Sequence, residues 1–280
     1  MIKQKINAHS MVMRTMISTG LLFLAMVLPG LAQEAGNRLD ENGQKQGYWE
    51  KKQPNGKFLY QGYFQDDKPV GEWKRFHTNG VLKARINYAE DSDTAAVTLF
   101  DNYGNKLADG FYLGREKAGH WVYYDKRQKV AEENYVDGKK NGTARTYYSS
   151  GELFVETNYV DGVEEGVYRA YQKSGTVYFE CQMNDGRRDG YCQIFYPNGE
   201  LETAAFYRAG VREDCWTYYD ENGRLQYSLE YENGQVQNPA VLDSVEQIRY
   251  RQLDENRNKI MDPEQFMQDP VQYMMQQKIR

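Results

Sequence analysis

The sequence is poor in the residues on which many catalytic and metal sites depend: its 280 residues include only three cysteines and three histidines. The cysteines, Cys181, Cys192 and Cys215, allow at most one internal disulfide and contain no Cys-x-x-Cys pair. These features exclude a disulfide scaffold, a zinc ribbon and a thioredoxin-like site. The sequence also lacks a P-loop, a dinucleotide-binding glycine motif after a strand and an HExxH motif, so we expect no cofactor.

Positive charge is not in excess either. The sequence has 35 Lys and Arg residues against 40 Asp and Glu residues, which gives a net charge of -5. Neutralisation of phosphates requires clustered Lys and Arg side chains. We therefore predict that the protein does not bind nucleic acid.

Long apolar runs are missing outside the N-terminus. Residues 1–32 have the pattern of a signal peptide: basic residues precede the apolar run Leu21 to Leu28, and the small residues Gly30 and Ala32 precede Gln33. The run is too short for the roughly 20 residues that a membrane-spanning helix needs. We predict an exported protein, periplasmic or secreted, with no transmembrane segment in the mature chain; an uncleaved anchor is the alternative.

An internal repeat dominates the rest of the chain. Residues 134–151 and 158–175 have closely similar sequences at an offset of 24. Two glycine series with steps of 24 or 23 fix the register, and they indicate about eight repeats between residues 47 and 234. The first series is Gly47, Gly71, Gly119, Gly142, Gly166 and Gly190, and the second is Gly56, Gly80, Gly104, Gly151, Gly175, Gly199 and Gly223.

Each repeat has the pattern of two strands joined by tight turns. Apolar and polar residues alternate with a period of two after the second glycine series, as from Leu153 to Tyr159. Asn-Gly and Asp-Gly dipeptides punctuate the strands, and they tolerate the positive φ angles that hairpin turns require. We predict an all-β fold: an elongated antiparallel β-hairpin array of about eight 24-residue repeats with a short α-helical C-terminal tail.

The repeat motif G-x-W-x-x-Y-Y-x-x-G-x-L, followed by Y-x-D-G-x-x-x-G, resembles the MORN-repeat variant family, whose members are often labelled YwqK-like antitoxin proteins. The resemblance covers residues 47–234. It departs from the pattern where Ala95, Ala144, Cys192 and Asp214 replace glycine or aromatic residues. The resemblance implies a row of β-hairpins with a binding or scaffolding role and no catalytic residues.

The two ends differ from the repeats in composition. Residues 33–46 are polar without periodicity, and we expect a flexible lead-in. Residues 235–280 form a predicted helical tail that caps the last strand of the array. Its first helix is predicted from Pro239 to Leu253, with Val241, Val245 and Ile248 near helical spacing, and its second from Pro263 to Gln277.

The tail also contains a degenerate EF-hand pattern. Oxygen-bearing side chains occupy loop positions 1, 3, 5, 9 and 12, at Asp254, Asn256, Asn258, Asp262 and Gln265. Lys259 replaces the turn glycine, and Gln265 lacks the bidentate carboxylate that tightens calcium binding. We favour a polar interhelical loop over a metal site.

Recurring aromatic residues are the remaining candidates for binding. Residues three apart on a regular strand lie on opposite faces, so either a bulge realigns them or one set is exposed. An exposed row could stack on sugars or anchor a protein partner, although packing is favoured over binding at any single ring. The candidates are Trp49, Trp73, Trp121, Tyr124, Tyr147, Tyr171, Trp216 and Tyr219.

These observations predict an exported, non-enzymatic β-repeat protein of the cell envelope that engages a protein or surface-glycan partner along its sheet. One alternative is a carbohydrate-active hydrolase with paired carboxylates, such as Glu132 with Glu133 or Glu164 with Glu165. Another is an antitoxin-like protein that binds a toxin partner. Cys181 and Cys192 fall on consecutive strands, so any disulfide is expected between them, with Cys215 free.

Overall fold

The computed structural model describes residues 36–90 and 92–256, which form one antiparallel sheet followed by a helix. The predicted signal peptide, the predicted second helix and residue 91 lie outside these described ranges. The strands are β1 Arg38–Leu39, β2 Lys45–Lys52, β3 Phe58–Gln65, β4 Lys68–Phe76, β5 Leu82–Tyr88, β6 Thr94–Phe100, β7 Lys106–Leu113, β8 Glu116–Asp125, β9 Gln128–Val136, β10 Lys139–Lys140, β11 Gly142–Tyr147, β12 Leu153–Val160, β13 Val163–Glu164, β14 Gly166–Tyr171, β15 Val177–Asn184, β16 Arg187–Phe195, β17 Leu201–Arg208, β18 Val211–Tyr219, β19 Leu225–Glu232 and β20 Gln235–Val236, and α1 is Pro239–Asn256.

The strands pair in chain order as a meander of eight hairpins, which confirms the predicted array. The hairpins are β2–β3, β4–β5, β6–β7, β8–β9, β11–β12, β14–β15, β16–β17 and β18–β19. β10 and β13 are short pieces that precede the breaks at Gly142 and Gly166. β1 and β20 are two-residue strands that cover part of the two outer edges.

The two kinds of turn follow from the residues that form them. Inside a hairpin, the amide of His77 donates to the carbonyl of Val81 at 2.8 Å, and Gly80 takes a φ of 85°. Between hairpins, Asp137 and Gly138 have φ angles of 48° and 75°, the combination that a type I′ turn requires. Both kinds of turn occur where the sequence predicted them.

The first glycine series marks a bulge between successive repeats. Gln61 pairs with Lys74 and Tyr63 with Val70, so three residues of β4 lie opposite the single residue between Gln61 and Tyr63. Asp214 keeps the positive φ of this position, at 61°. Ala95 does not, and β5 and β6 therefore pair without a register shift. The junction that leads into the degenerate third repeat thus lacks the bulge found between β3 and β4 and between β7 and β8.

The core lies on one side of the sheet, which we call the core face, and its central row of paired side chains crosses the sheet. An adjacent row on this face adds buried residues such as Ala84, Ala108 and Ala170. Four aromatic residues in the central row, Trp49, Trp73, Tyr168 and Trp216, lie opposite a small or aliphatic residue, whereas Trp121 lies opposite Glu133. The pairs of the central row are Trp49 with Gly62, Trp73 with Ile86, Val97 with Gly110, Trp121 with Glu133, Ala144 with Thr157, Tyr168 with Cys181, Cys192 with Ala205 and Trp216 with Leu229.

The two edges of the sheet are closed by asparagine side chains. At the first edge, the backbone amide of Asn37 donates to Tyr48 O at 2.9 Å, and the side-chain Oδ1 of Asn37 accepts the backbone amide of Glu50 at 2.9 Å. At the last edge, Asn238 accepts the amide of Glu230 at 3.0 Å and donates to Ser228 O at 3.0 Å. Each side chain satisfies edge groups that would otherwise accept another strand.

Helix α1 confirms the predicted first helix of the tail. Val241 and Leu242, in its first turn, pack against the core cluster of the last repeats. Ile248 and Leu253 are each 53% exposed, so the cap is confined to the start of the helix. Among the described residues, no helix combines the length and the apolar character needed to cross a membrane.

Candidate functional site

The two aromatic sets lie on opposite faces of the sheet. In β8, Trp121 pairs with Glu133 and Tyr123 with Ala131, and the register shift follows Tyr123 on the partner strand. β8 therefore stays regular, and Trp121 and Tyr124 point to opposite sides. The bulge does not realign the two rings.

The tryptophans predicted as binding residues are core residues. Trp121 is fully buried, and Trp73 and Trp216 are buried as well. The missing side chains of Gly110 and Gly62 leave the space that the indole rings of Trp121 and Trp73 fill. Each indole Nε1 donates to a backbone carbonyl, that of Trp121 to Phe111 O at 3.0 Å. We correct the sequence expectation for these three residues; Trp49 is half-buried.

Lysine and arginine side chains cover the rings of the core face. Lys117 Nζ lies 4.5, 5.1 and 4.8 Å from the ring centroids of Trp121, Tyr123 and Tyr135. It donates to the hydroxyl of Tyr123 at 2.7 Å. Burial among these rings lowers the pKa of Lys117. The cage of Trp121, Tyr123 and Tyr135 is therefore already filled by a cation of the chain.

The same arrangement recurs along the array. Five basic residues at equivalent repeat positions lie over aromatic rings at centroid distances between 4.5 and 5.4 Å. They are Lys45, Lys117, Lys140, Arg188 and Arg212. The core face thus offers few free ring surfaces to a partner.

The opposite side, which we call the polar face, has a different composition. One row of paired residues crosses the sixteen main strands there. Fourteen of its sixteen residues have charged, amide or hydroxyl side chains, and Val122 and Ala204 are the two exceptions. The row is Glu50, Gln61, Lys74, Arg85, Thr98, Asp109, Val122, Glu132, Arg145, Glu156, Arg169, Glu180, Gln193, Ala204, Thr217 and Ser228.

Opposite charges alternate in the middle of this row. Arg145 lies 3.5 Å from Glu132 and 2.6 Å from Glu156, and Arg169 lies 2.5 Å from Glu180. Burial alone would raise the pKa of Glu132, but hydrogen bonds from Tyr147 and Lys129 hold it below its ordinary value. This stretch of the polar face is therefore close to neutral.

The predicted tyrosines belong to the polar side and are half-buried. The hydroxyl of Tyr124 donates to Asp109 at 3.2 Å, and that of Tyr147 donates to Glu132 at 2.5 Å. Tyr171 and Tyr219 each use a backbone carbonyl to accept a tyrosine hydroxyl from the preceding repeat, at 2.8 Å. All four help to hold neighbouring strands or repeats together.

A hollow of about 290 Å³ opens on the polar face where the degenerate third repeat meets the fourth. Asp109 stands at its wall: its carboxylate accepts the hydroxyls of Thr98 at 2.9 Å and Tyr124 at 3.2 Å, and it pairs with Lys106. His120 lies on the next strand, with Nε2 3.6 Å from Glu132. The hollow is lined by Asn87, Ala96, Val97, Thr98, Asp109, Gly110, Phe111, His120 and Val122.

Three exposed rings on the polar face were missed by the sequence analysis. Tyr191 is 72% exposed, and Tyr63 and Phe111 are also exposed. They immediately precede or follow core-row residues in the sequence, so strand alternation alone places them on the polar face. Tyr63 and Phe111 occupy the same repeat position, 48 residues apart, and this recurrence is the sequence signal that could have revealed them.

The family comparison identifies the repeats. The model of the MORN repeat variant matches residues 69–90, 140–161, 188–209 and 215–233. The chain contains repeats of the MORN repeat variant family. The matched segments correspond to the hairpins β4–β5, β11–β12, β16–β17 and β18–β19, and the other four hairpins continue the same MORN register.

Similarity to solved structures is weak. The MORN chain is 14% identical to a chain of the GtfA/B complex, over 31% of this chain and 18% of that one, with a TM-score of 0.24. It is 9% identical to an S. aureus TarM variant, over 57% and 20%, with a TM-score of 0.15. It is 9% identical to a Bacteroides fragilis protein with unknown function, over 60% and 96%, with a TM-score of 0.11. The chain spans about a fifth of the length of the GtfA/B and TarM chains. No curated protein matches it.

The MORN sheet separates the carboxylate pairs on which the hydrolase alternative relies. Glu132 and Glu133 are consecutive in β9, so their side chains point to opposite faces. Burial alone would raise the pKa of Glu133, but Lys140 and Tyr135 hold it below its ordinary value. The carboxylate of Glu164 accepts the hydroxyl of Tyr159, whereas that of Glu165 accepts the amide of Asp185. The carboxylates of Glu132 and Glu133 thus lie on different faces, and neither has the raised pKa of the acid that a glycoside hydrolase needs.

The remaining predicted sites are placed as follows. Cys181 and Cys192 are directly paired on β15 and β16, with Cα atoms 4.0 Å apart, and are bonded to each other, while Cys215 is free and exposed. Within residues 36–90 and 92–256, no three His, Cys, Asp or Glu side chains are arranged to hold a metal ion. Asp254 and Asn256 lie in the last turn of α1, and Asn258, Asp262 and Gln265 lie outside the described ranges.

Proposed function

We propose that this protein is exported to the cell envelope and acts there as a non-enzymatic scaffold that holds a protein or glycan partner on the polar face of its MORN sheet. The observation that carries the proposal is the contrast between the two faces. On the core face, the rings are buried or covered by Lys and Arg side chains. On the polar face, Tyr63, Phe111 and Tyr191 are exposed beside a row of hydrogen-bonding side chains.

Rings that stand among polar groups combine apolar contact with directional hydrogen bonds, which is the composition of a recognition surface. The repeat array supplies such groups strand after strand, so a partner can spread its contacts over neighbouring repeats. A bound partner would then lose part of its affinity, and not all of it, when one ring is removed.

Export is supported by the basic and apolar pattern of residues 1–32 and by the bonded pair Cys181 and Cys192. Disulfides persist in oxidising compartments. Cell fractionation followed by N-terminal sequencing of the mature protein tests this part of the proposal. We expect the protein outside the cytoplasm with Gln33 as its first residue; a cytoplasmic protein that retains residues 1–32 would contradict export.

Capture of partners from native envelope extracts by the mature protein tests the binding surface. Tyr191→Ala and Tyr63→Ala should each weaken capture by about 1–3 kcal/mol with unchanged melting temperature. Tyr103→Ala is the matched control, because Tyr103 is exposed at a turn and not on the polar face. Equal capture by all three variants and the native sequence would show that the partner does not use the polar face.

A further inference from the structure

The hollow on the polar face has a local cause in the sequence. Ala95 removes the bulge that glycine creates between other repeats, so β5 and β6 stay in regular register. The polar-face neighbours at this point, Ala96 and Val122, have small or short side chains. Phe111 stands beside the gap with its ring exposed. The result is a concave site bounded on one side by an aromatic ring.

Fixed hydrogen-bonding groups line the same space. The carboxylate of Asp109 is oriented by Thr98, Tyr124 and Lys106, which use three of its roughly four acceptor positions. One position is left to accept a hydroxyl from a ligand. His120 is about half exposed, and Asn87 adds an amide with both donor and acceptor capacity.

The surroundings of the hollow favour an uncharged ligand that is recognised by side chains and not by pairing with the backbone of the sheet. Asp109 is compensated by Lys106, and Glu132 by Lys129 and Arg145. The strands that form the floor, β5 to β8, are paired on both sides, so an extended peptide cannot add to them through its backbone. A ring with an apolar face and hydroxyl groups at its rim meets both conditions, since it packs on Phe111 and exchanges hydrogen bonds with the polar wall.

We infer that the hollow binds one pyranose ring of a neutral glycan, with Phe111 against its apolar face and Asp109 and His120 hydrogen-bonded to its hydroxyls. This inference rests on the proposed function, because it places the glycan on the same polar face. It narrows the partner from a protein or a glycan to a neutral glycan, and it assigns the contact to one repeat junction.

The test is an array of neutral glycans, followed by calorimetry of the full mature protein with the best-bound oligosaccharide. We expect Phe111→Ala and Asp109→Asn each to weaken binding by about 10-fold or more, as expected for loss of a central contact. Tyr250→Ala is the matched control, because Tyr250 is a 70% exposed ring on helix α1 and not on the polar face, and this variant should leave the affinity unchanged. Melting curves of all variants verify that they fold.

Two results would overturn the inference: no neutral glycan binds the native protein, or binding persists unchanged in both Phe111→Ala and Asp109→Asn. Tight binding of a tetralysine peptide that depends on Asp109, without glycan binding, would reassign the hollow to a cationic side chain. The proposed function is tested independently: it is rejected if Tyr63→Ala and Tyr191→Ala capture envelope partners as well as the native protein does. Loss of capture in those variants without glycan binding would retain the scaffold and reject the sugar site.

Discussion

Gly110 lies directly beneath the indole ring of Trp121, with no room between them for a Cβ atom. Gly62 has the same relationship to Trp73. Neither glycine has a positive φ angle, so space and not backbone conformation requires glycine there. At these two positions the core gains packing density because a large ring fills the space of an absent side chain.

Gly110→Ala should therefore destabilise the protein by about 1–3 kcal/mol, because the added methyl forces the Trp121 ring out of its place. Denaturant unfolding of the native protein and the variant measures the loss. Trp121→Ala should cost about 3–5 kcal/mol through the cavity it leaves. The double variant should be less damaged than the sum of the two, since the methyl then has space. Strictly additive losses would show that the two residues are not coupled.

The sequence was sufficient for the number of repeats, the turns and the first helix, because glycine spacing and strand alternation are local signals. It did not decide which ring of each pair is buried. Which ring is buried depends on which of the two paired strands carries the bulge after Tyr123. The sequence of one strand does not reveal this, because register is a property of the pair. The pairing of Trp121 with Glu133, and the cover that Lys117 gives to Trp121, depend on the same register.

Other features of the surface were present in the sequence but were not used. Basic residues recur at one repeat position, from Lys45 to Arg212, and this recurrence could have been read as cover for the rings. The hollow could not have been predicted from a recurring residue, because it arises from the lost bulge at Ala95 together with the side chains of four strands.

Oxidation should lock Cys181 to Cys192 and leave Cys215 as the free thiol. The two bonded cysteines are separated by 11 residues, and a loop of about that length gives about 3 kcal/mol of stabilisation in the chain-entropy model. Non-reducing peptide mapping identifies the pair, and melting with and without reductant measures its contribution. Cys215→Ser is the control and should behave like the native protein. A bridge to Cys215 would contradict the pairing.

Alkaline pH should weaken the fold through two half-buried tyrosines, Tyr159 and Tyr218. Burial, with a hydrogen bond to Glu164, raises the pKa of Tyr159 to about 12, and burial, with the charge of Tyr231, raises that of Tyr218 to about 12. An unfolded tyrosine has a pKa of about 10. The folded protein thus holds these protons more tightly, and the stabilisation is complete below about pH 10 and lost as the pH rises through 12.

Tyr159→Phe and Tyr218→Phe should each flatten the fall in unfolding free energy over this interval. An unchanged pH profile in both variants would count against these two hydroxyls as its source.

Thr157 and Thr143 should respond in opposite directions to the same substitution. Thr157 belongs to the core row, paired with Ala144, and is 6% exposed; its hydroxyl has no hydrogen-bond partner among the described residues. The hydroxyl of Thr143, on the polar face, donates to Asn158 Oδ1 at 2.7 Å. An unsatisfied buried hydroxyl costs free energy, whereas a satisfied one contributes about 1 kcal/mol. Valine has nearly the same shape, so Thr157→Val should raise the unfolding free energy by about 1 kcal/mol and Thr143→Val should lower it by about the same amount.

Parallel denaturant titrations of the two variants measure both changes. A loss of stability in Thr157→Val would mean that its hydroxyl finds a partner in solution, such as an ordered water, because only a satisfied group is missed when it is removed.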